Sequence, residues 1–341
     1  MMRRTVQISA LLALIWGGWW WFATTTLQSA VTGWLGNQRA AGLEADVAQM
    51  ARGGFPLRIG ATLRELRLTD PAAGTALRIP LITVETPVYW PGHATLRLPD
   101  APVTMLTPQG TLTLGLSGAE AALRLRPGPA LQLRDTALSG SDITLDLEGA
   151  PVLRIASFAA QIRQDSAPET YRFDLTAVGL TLDALSVAPG RPVTSEPVTS
   201  EPVTFEPVTF EPIMAQITVS FDRPWDRSAL QAARPQPRSI AVAGITAGQG
   251  STGFTLDGDL VVNADGIPSG TLRLRLRDWQ RMFDMALSAL PVPPDWTPTA
   301  ARVLAAMAQP DGTLDLEITV DQGQMRIGFV PLGPAPRLSI P

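Results

Sequence analysis

Four places in this sequence set reactive residue types at spacings that chemistry uses. In "SDITLDLEG" the carboxylates Asp146 and Glu148 stand two residues apart, about 7 Å along one strand face, near the roughly 5–5.5 Å between the carboxyl groups of retaining glycosidases. Such a pair would make a hydrolase acting on envelope glycan. Asp142 and Thr144 continue the same alternation, so the wet face of a sheet explains the pair without catalysis. Ser139 and Ser141 offer hydroxyl nucleophiles. Their one available base is His93 of "YWPGHATL", the single histidine, and no G-x-S-x-G elbow surrounds either serine. "LDGDLVVNADG" gathers Asp257, Asp259, Asn263 and Asp265 but misses the calcium-loop spacing D-x-[DN]-x-[DN]-G, so two turns flanking a strand account for it. The fourth place is "TLRLRLRDW", where Arg273, Arg275 and Arg277 form a ladder opposite Leu272, Leu274 and Leu276. Guanidinium groups match phosphate oxygens in a bidentate fork. The ladder is either a rail for lipid headgroups or a set of cross-strand partners for acids such as Asp315 and Glu317, at ~0.2–1 kcal/mol per pair.

Composition removes several reaction classes. All 27 basic residues are arginine, so the amine that P-loop and Schiff-base chemistry require is missing. With 0 cysteines and 1 histidine there is no thiol nucleophile, no lipoprotein anchor and no multi-histidine metal site. No cofactor or metal is expected, and no constellation marks an enzyme. The formal charge of −4 is matched by the glutamates Glu196, Glu201, Glu206 and Glu211 of one repeated stretch. The rest of the chain is neutral and lacks the basic stripe that nucleic acid would need.

The elements that must position these residues begin with "MMRRTVQISALLALIWGGWWWFATTTLQSA". Its 22 residues from Val6 to Leu27 make about 33 Å of helix at ~1.5 Å per residue, enough to cross a hydrocarbon core of about 30 Å. Trp16, Trp19, Trp20 and Trp21 suit a headgroup zone, Arg3 and Arg4 place the amino terminus in the cytoplasm, and no clean A-x-A cleavage site follows. Residues 1–27 are thus expected as a transmembrane anchor. Leu27, Val31, Trp34, Gln38, Ala41 and Ala45 fall at helical spacing, which predicts a stalk helix over 28–52, stopped by Gly53, Gly54 and Pro56.

Period-two patterns then dominate, with turn residues at short intervals, and predict an antiparallel meander in two β-rich halves, 53–188 and 213–341. Trp279, Met282, Phe283, Ala286, Leu287 and Leu290 form one helical stripe after Asp278 as N-cap, and a second helix opens at Thr297 and Pro298. Trp279, Met282, Phe283, Leu287 and Leu290 would serve as a lid over a lipid groove, or as a cap on the inward leucines of the sheet. Between the halves, "PVTSEPVTSEPVTFEPVTFEP" at 192–212 repeats a five-residue unit. Five matches no helix, strand or polyproline period, so 189–212 reads as an extended acidic spacer.

The stretches "ARGGFPLRIGATLRELRL" and "GQMRIGFVPLGPAPRL" together resemble an uncharacterised bacterial family of membrane-anchored envelope proteins, a domain of unknown function, over Trp16 to Leu338. The resemblance brings no catalytic residues. More loosely, an anchor followed by a long meander is similar to the AsmA-like lipid-transport proteins, which implies a groove for phospholipid. The expected fold is mainly β: an amino-terminal transmembrane helix and stalk helix, then a long antiparallel β-meander, curved and possible to close as a groove, with two carboxyl-terminal helices packed on it. The expected function is an inner-membrane protein with a periplasmic domain that binds a phospholipid or another envelope protein. A structural scaffold without a ligand is the alternative, and the glycan hydrolase comes third.

Overall fold

A computed structural model describes residues 2–90, 92–182, 208–210, 212–230, 234–289, 297–328 and 330–340. The chain divides into two compact units, one of 1–150 with 161–163 and 225–232, the other of 151–160, 164–224 and 233–341. Both are mainly β, with antiparallel strands throughout, and each follows from the alternation of apolar and polar residues described above.

The first unit opens with helix α1 (Met2–Ala40). It continues through β1 (Glu44–Gly53), β2 (Arg58–Asp70), β3 (Thr75–Pro87), β4 (His93–Arg97), β5 (Val103–Thr107), β6 (Gly110–Leu125) and β7 (Leu133–Leu147). β1, β2 and β3 pair in sequence. β4 and β5 then share a single strand position, since β4 lies between one part of β3 and β6 and β5 between another. β7 follows β6. The core lies where α1 covers the sheet: Leu27, Val31 and Leu35 pack on Ala45, Ala61, Leu63, Leu66 and Ile82.

The stalk helix over 28–52 needs correction. The Gly42 N–H bonds the Arg39 carbonyl and the Leu43 N–H the Gln38 carbonyl, each at 3.1 Å, with Gly42 at φ +93°. This is the paired closure that ends a helix when glycine adopts the left-handed conformation. Residues 44–53 then form β1, in which Ala45 is buried against α1. The stripe is also shifted: Leu35 is buried, whereas Trp34 is exposed. From Trp16 onward α1 lies against the unit and does not stand clear of it.

The second unit contains residues 151–160 of β8 (Ala150–Gln164), then β9 (Thr170–Val178), β10 (Leu180–Leu182), β11 (Val208–Phe210), β12 (Ile213–Phe221), β13 (Pro237–Gln249), β14 (Thr252–Val262) and β15 (Pro268–Arg277). Helices α2 (Trp279–Ala289) and α3 (Thr297–Met307) precede β16 (Thr313–Asp321), β17 (Gln324–Ile327) and β18 (Val330–Pro334). β9 pairs with β12, and from β12 to β18 each strand pairs with the next. β10 pairs with both β8 and β11.

These pairings correct the spacer. β9 and β12 match from Thr170 with Ser220 to Ala177 with Ile213, so the chain on either side of the repeat belongs to one sheet. The strands that flank the repeat lie in one unit, and the units part near Ala150. Its last copy contributes β11, with Thr209 opposite Thr181. The rest of the spacer, 189–207 and 211, lies outside the described residues.

Candidate functional site

The backbone does not keep the two carboxylates on one strand. Asp146 is within β7, but Glu148 lies past its end at φ +52°, and its Oε1 accepts the Thr111 N–H at the start of β6. Glu148 therefore ties a turn together. His93 begins β4 opposite Arg124, its ring edge-on to Trp90 with centroids 6.2 Å apart. Ser139 faces Glu120, and the Ser141 hydroxyl donates to the Ser117 carbonyl at 3.2 Å. The register thus brings neither serine beside the histidine. Asn263 accepts the N–H groups of Asp265 and Ile267, each at 2.9 Å, which makes "NADG" a side-chain-stabilised turn as the spacing suggested.

The arginine ladder finds acids. Arg275 Nε donates to Asp315 at 2.6 Å, and that hydrogen bond, then its charge, holds the guanidinium pKa above its usual value. Arg273 lies in register between Asp257 and Glu317. Arg277 lies across two glycines: a Cβ built on Gly253 would come within 2.9 Å of its Nη2. Cross-strand pairing accounts for Arg275, and the ladder's face is the wet one.

On that face the rows Thr218, Ala241, Asp259, Thr271 and Asp257, Arg273 border an open depression of about 640 Å³. Ala241 and Gly258 are among its lining residues, and β13 is bulged beside it between Val242 and Ile245. The carboxylates of Asp257 and Asp259 and the guanidinium of Arg273 give it polarity. Among the described residues no cluster of three metal-binding side chains occurs.

On the opposite face α2 is seated as a cap. Trp279 is buried with Leu314 and Leu316, and Leu274, Leu276, Phe283 and Leu304 pack around them. Asp278 precedes the helix with φ +51°, and its side chain accepts the Thr252 hydroxyl at 2.9 Å. Met282 is half-buried; the Leu287 side chain and Leu290 lie outside the described residues.

The first unit, in contrast, leaves part of its apolar face open, a feature the alternation alone did not single out. The face that α1 covers over β1 to β3 continues by register through Leu77 to Met105, and through Leu96 and Ala121 to Leu138. Leu123 shares it two residues from Ala121. Met105 is 38%, Leu123 37% and Leu138 48% exposed, where a covered core would leave less than a tenth of each.

The bacterial family described as an uncharacterised protein conserved in bacteria, DUF2125, matches residues 20–336. The chain belongs to this family. The DUF2125 match takes in both units and begins within α1, as the resemblance implied. No curated protein and no solved structure matches the chain, so the looser likeness to AsmA-like proteins finds no support there. Among the described residues of this DUF2125 member no helix is long and apolar enough to cross a membrane. The side chains of 1–15, which include the first ten residues of the run from Val6 to Leu27, are outside them.

Proposed function

We propose that this DUF2125 protein is anchored in the bacterial inner membrane by α1 and binds phospholipid acyl chains on the open apolar face of its first unit, in the periplasm. The observation that carries the reading is that face, which continues from a helix-covered core to the exposed Met105, Leu123 and Leu138. Apolar surface left in water has an unfavourable hydration free energy, and an extended apolar face marks an interaction site more often than chance exposure does. The second unit supports assigning the ligand to the first, because α2 and α3 close the corresponding leucine rows there.

Support for the anchor comes from the sequence of α1, which carries no charged residue between Arg4 and Arg39. A lone helix with that composition favours the membrane. The test is native mass spectrometry of the full-length chain released from detergent. Retained phospholipid is the expected result. Ligand-free protein would overturn the reading in favour of a scaffold, and a protein adduct in favour of an envelope partner.

A further inference from the structure

Three tryptophans of α1 hold the tips of two loops of the first unit. Trp16 Nε1 donates to the Pro56 carbonyl at 2.8 Å, Trp20 Nε1 to the Arg58 carbonyl at 2.6 Å, and Trp19 Nε1 to the Val88 carbonyl at 3.4 Å. The Phe55 ring meets Trp20 edge-on at 5.2 Å. The loops are joined to each other by the Val88 N–H, which donates to the Leu57 carbonyl at 3.1 Å. Their side chains are exposed, Phe55 by 63%, Leu57 by 65% and Tyr89 by 77%, and Trp21 and Phe22 of α1 are exposed as well. Neither 53–57 nor 86–92 contains a charged residue. Charge returns at Arg58, which pairs with Glu85 at 2.7 Å.

The length of α1 fixes where this cluster lies if the helix is an anchor. Spans begin at about 17 residues, at ~1.5 Å each. Counted from Thr5, the first residue after the paired arginines, such a crossing ends near Trp21. Trp20 then lies about 2 Å and Trp16 about 8 Å from the far boundary. The carbonyls bonded to them lie at the same depth. The loop tips cannot stay in water while their hydrogen-bonded tryptophans sit in lipid.

We infer that residues 55–57 and Tyr89, with Trp16, Trp19 and Trp20, form a collar seated in the outer lipid–water interface, with the bilayer as its occupant. The inference rests on the reading of α1 as an anchor. The collar holds the first unit directly on the bilayer, where the expected stalk would have let it swing. Its chemistry suits the site. Indole rings favour the interface, and polar groups entering it must already be paired. The three indole N–H groups have carbonyl acceptors, and the hydroxyls of Thr24, Thr25 and Thr26 donate back to α1 carbonyls at 2.8, 2.7 and 3.0 Å.

Because the chain has 0 cysteines, one introduced cysteine gives a unique probe site. Phe55→Cys, Leu57→Cys and Tyr89→Cys are each labelled with an environment-sensitive fluorophore in the full-length chain. Ala73→Cys, in the exposed turn between β2 and β3, is the control. Each is reconstituted in vesicles of phosphatidylethanolamine and phosphatidylglycerol, with and without lipid carrying a nitroxide near the headgroup end of its acyl chain. The expected result is blue-shifted emission and its loss on adding nitroxide lipid at the three tips, with neither change at the control. An alkaline carbonate wash of the same vesicles tests the anchor separately. Protein that resists the wash but keeps water-like emission at the tips overturns the collar and spares the anchor. Protein that washes off overturns the anchor reading, and the collar with it. A tip that is shielded from water yet unquenched by nitroxide lipid is covered by protein, which overturns the lipid assignment.

Discussion

Asp222 shows how single side chains hold this protein together away from its apolar faces. Partial burial of its carboxyl opposes ionisation, but the Gln236 N–H at 2.8 Å and the charges of Arg223 and Arg238 outweigh that and lower its pKa. Gln236 in turn clips the carboxyl-terminal segment by two hydrogen bonds to Ile340, each at 2.9 Å. Asp226 and Asp311 are lowered by the hydroxyls and N–H groups of Ser228 and Thr313, and Glu65 by hydrogen bonds and charge from Arg78 and then Arg67. A carboxyl whose folded pKa lies below its unfolded value stabilises the fold above the unfolded pKa and loses that contribution as pH falls through the folded one. Stability should therefore fall as pH drops through about 4 and below. Urea unfolding at stepped pH checks this, and Asp222→Asn should flatten the decline. An unchanged slope in that variant would remove Asp222 from the account.

At the scale of elements, α2 and the repeat make opposite demands. Trp279 is buried among Leu314 and Leu316, so Trp279→Ala should cost about 3–5 kcal/mol through lost transfer energy and the cavity left behind. Phe283, half-buried at the edge of the same cluster, should cost less when cut to alanine. Chemical denaturation of both variants measures the difference. A near-neutral Trp279→Ala would mean that α2 is a loose lid and not a cap. For the repeat, deleting 192–206 should leave the unfolding midpoint unchanged, whereas deleting 192–210 removes β11 and leaves β10 without that partner, which should lower it. Equal midpoints for the two deletions would show that β11 contributes nothing.

The α2 stripe and the ladder of Arg273 and Arg275 were legible because their period, 3.6 or 2, is local to one element. What escaped was non-local. Residues 44–53 have no proline and follow a helical stripe whose last member is Ala45, and only pairing with β2 under α1 makes them a strand. The last repeat copy becomes β11 because Leu180 to Leu182 lie opposite it. Glu148 reads as a strand residue until its left-handed backbone is seen.

For the molecule as a whole, the account joins an α1 with no charge between Arg4 and Arg39, a sheet face only partly covered by it, and membership of DUF2125. The tryptophans were expected at a headgroup zone, and in the fold they grip loop tips that carry their own exposed Phe55, Leu57 and Tyr89. Lipid reaching the open face would then come from the same bilayer that seats the loops. The most direct test is the phospholipid content of the full-length protein compared with that of a Leu123→Glu, Leu138→Glu double variant. Both positions are exposed enough for the charges to be solvated without unfolding the sheet. The account predicts that phospholipid accompanies the wild type and is lost from the variant at unchanged stability. Equal phospholipid in both, or none in either, would contradict it.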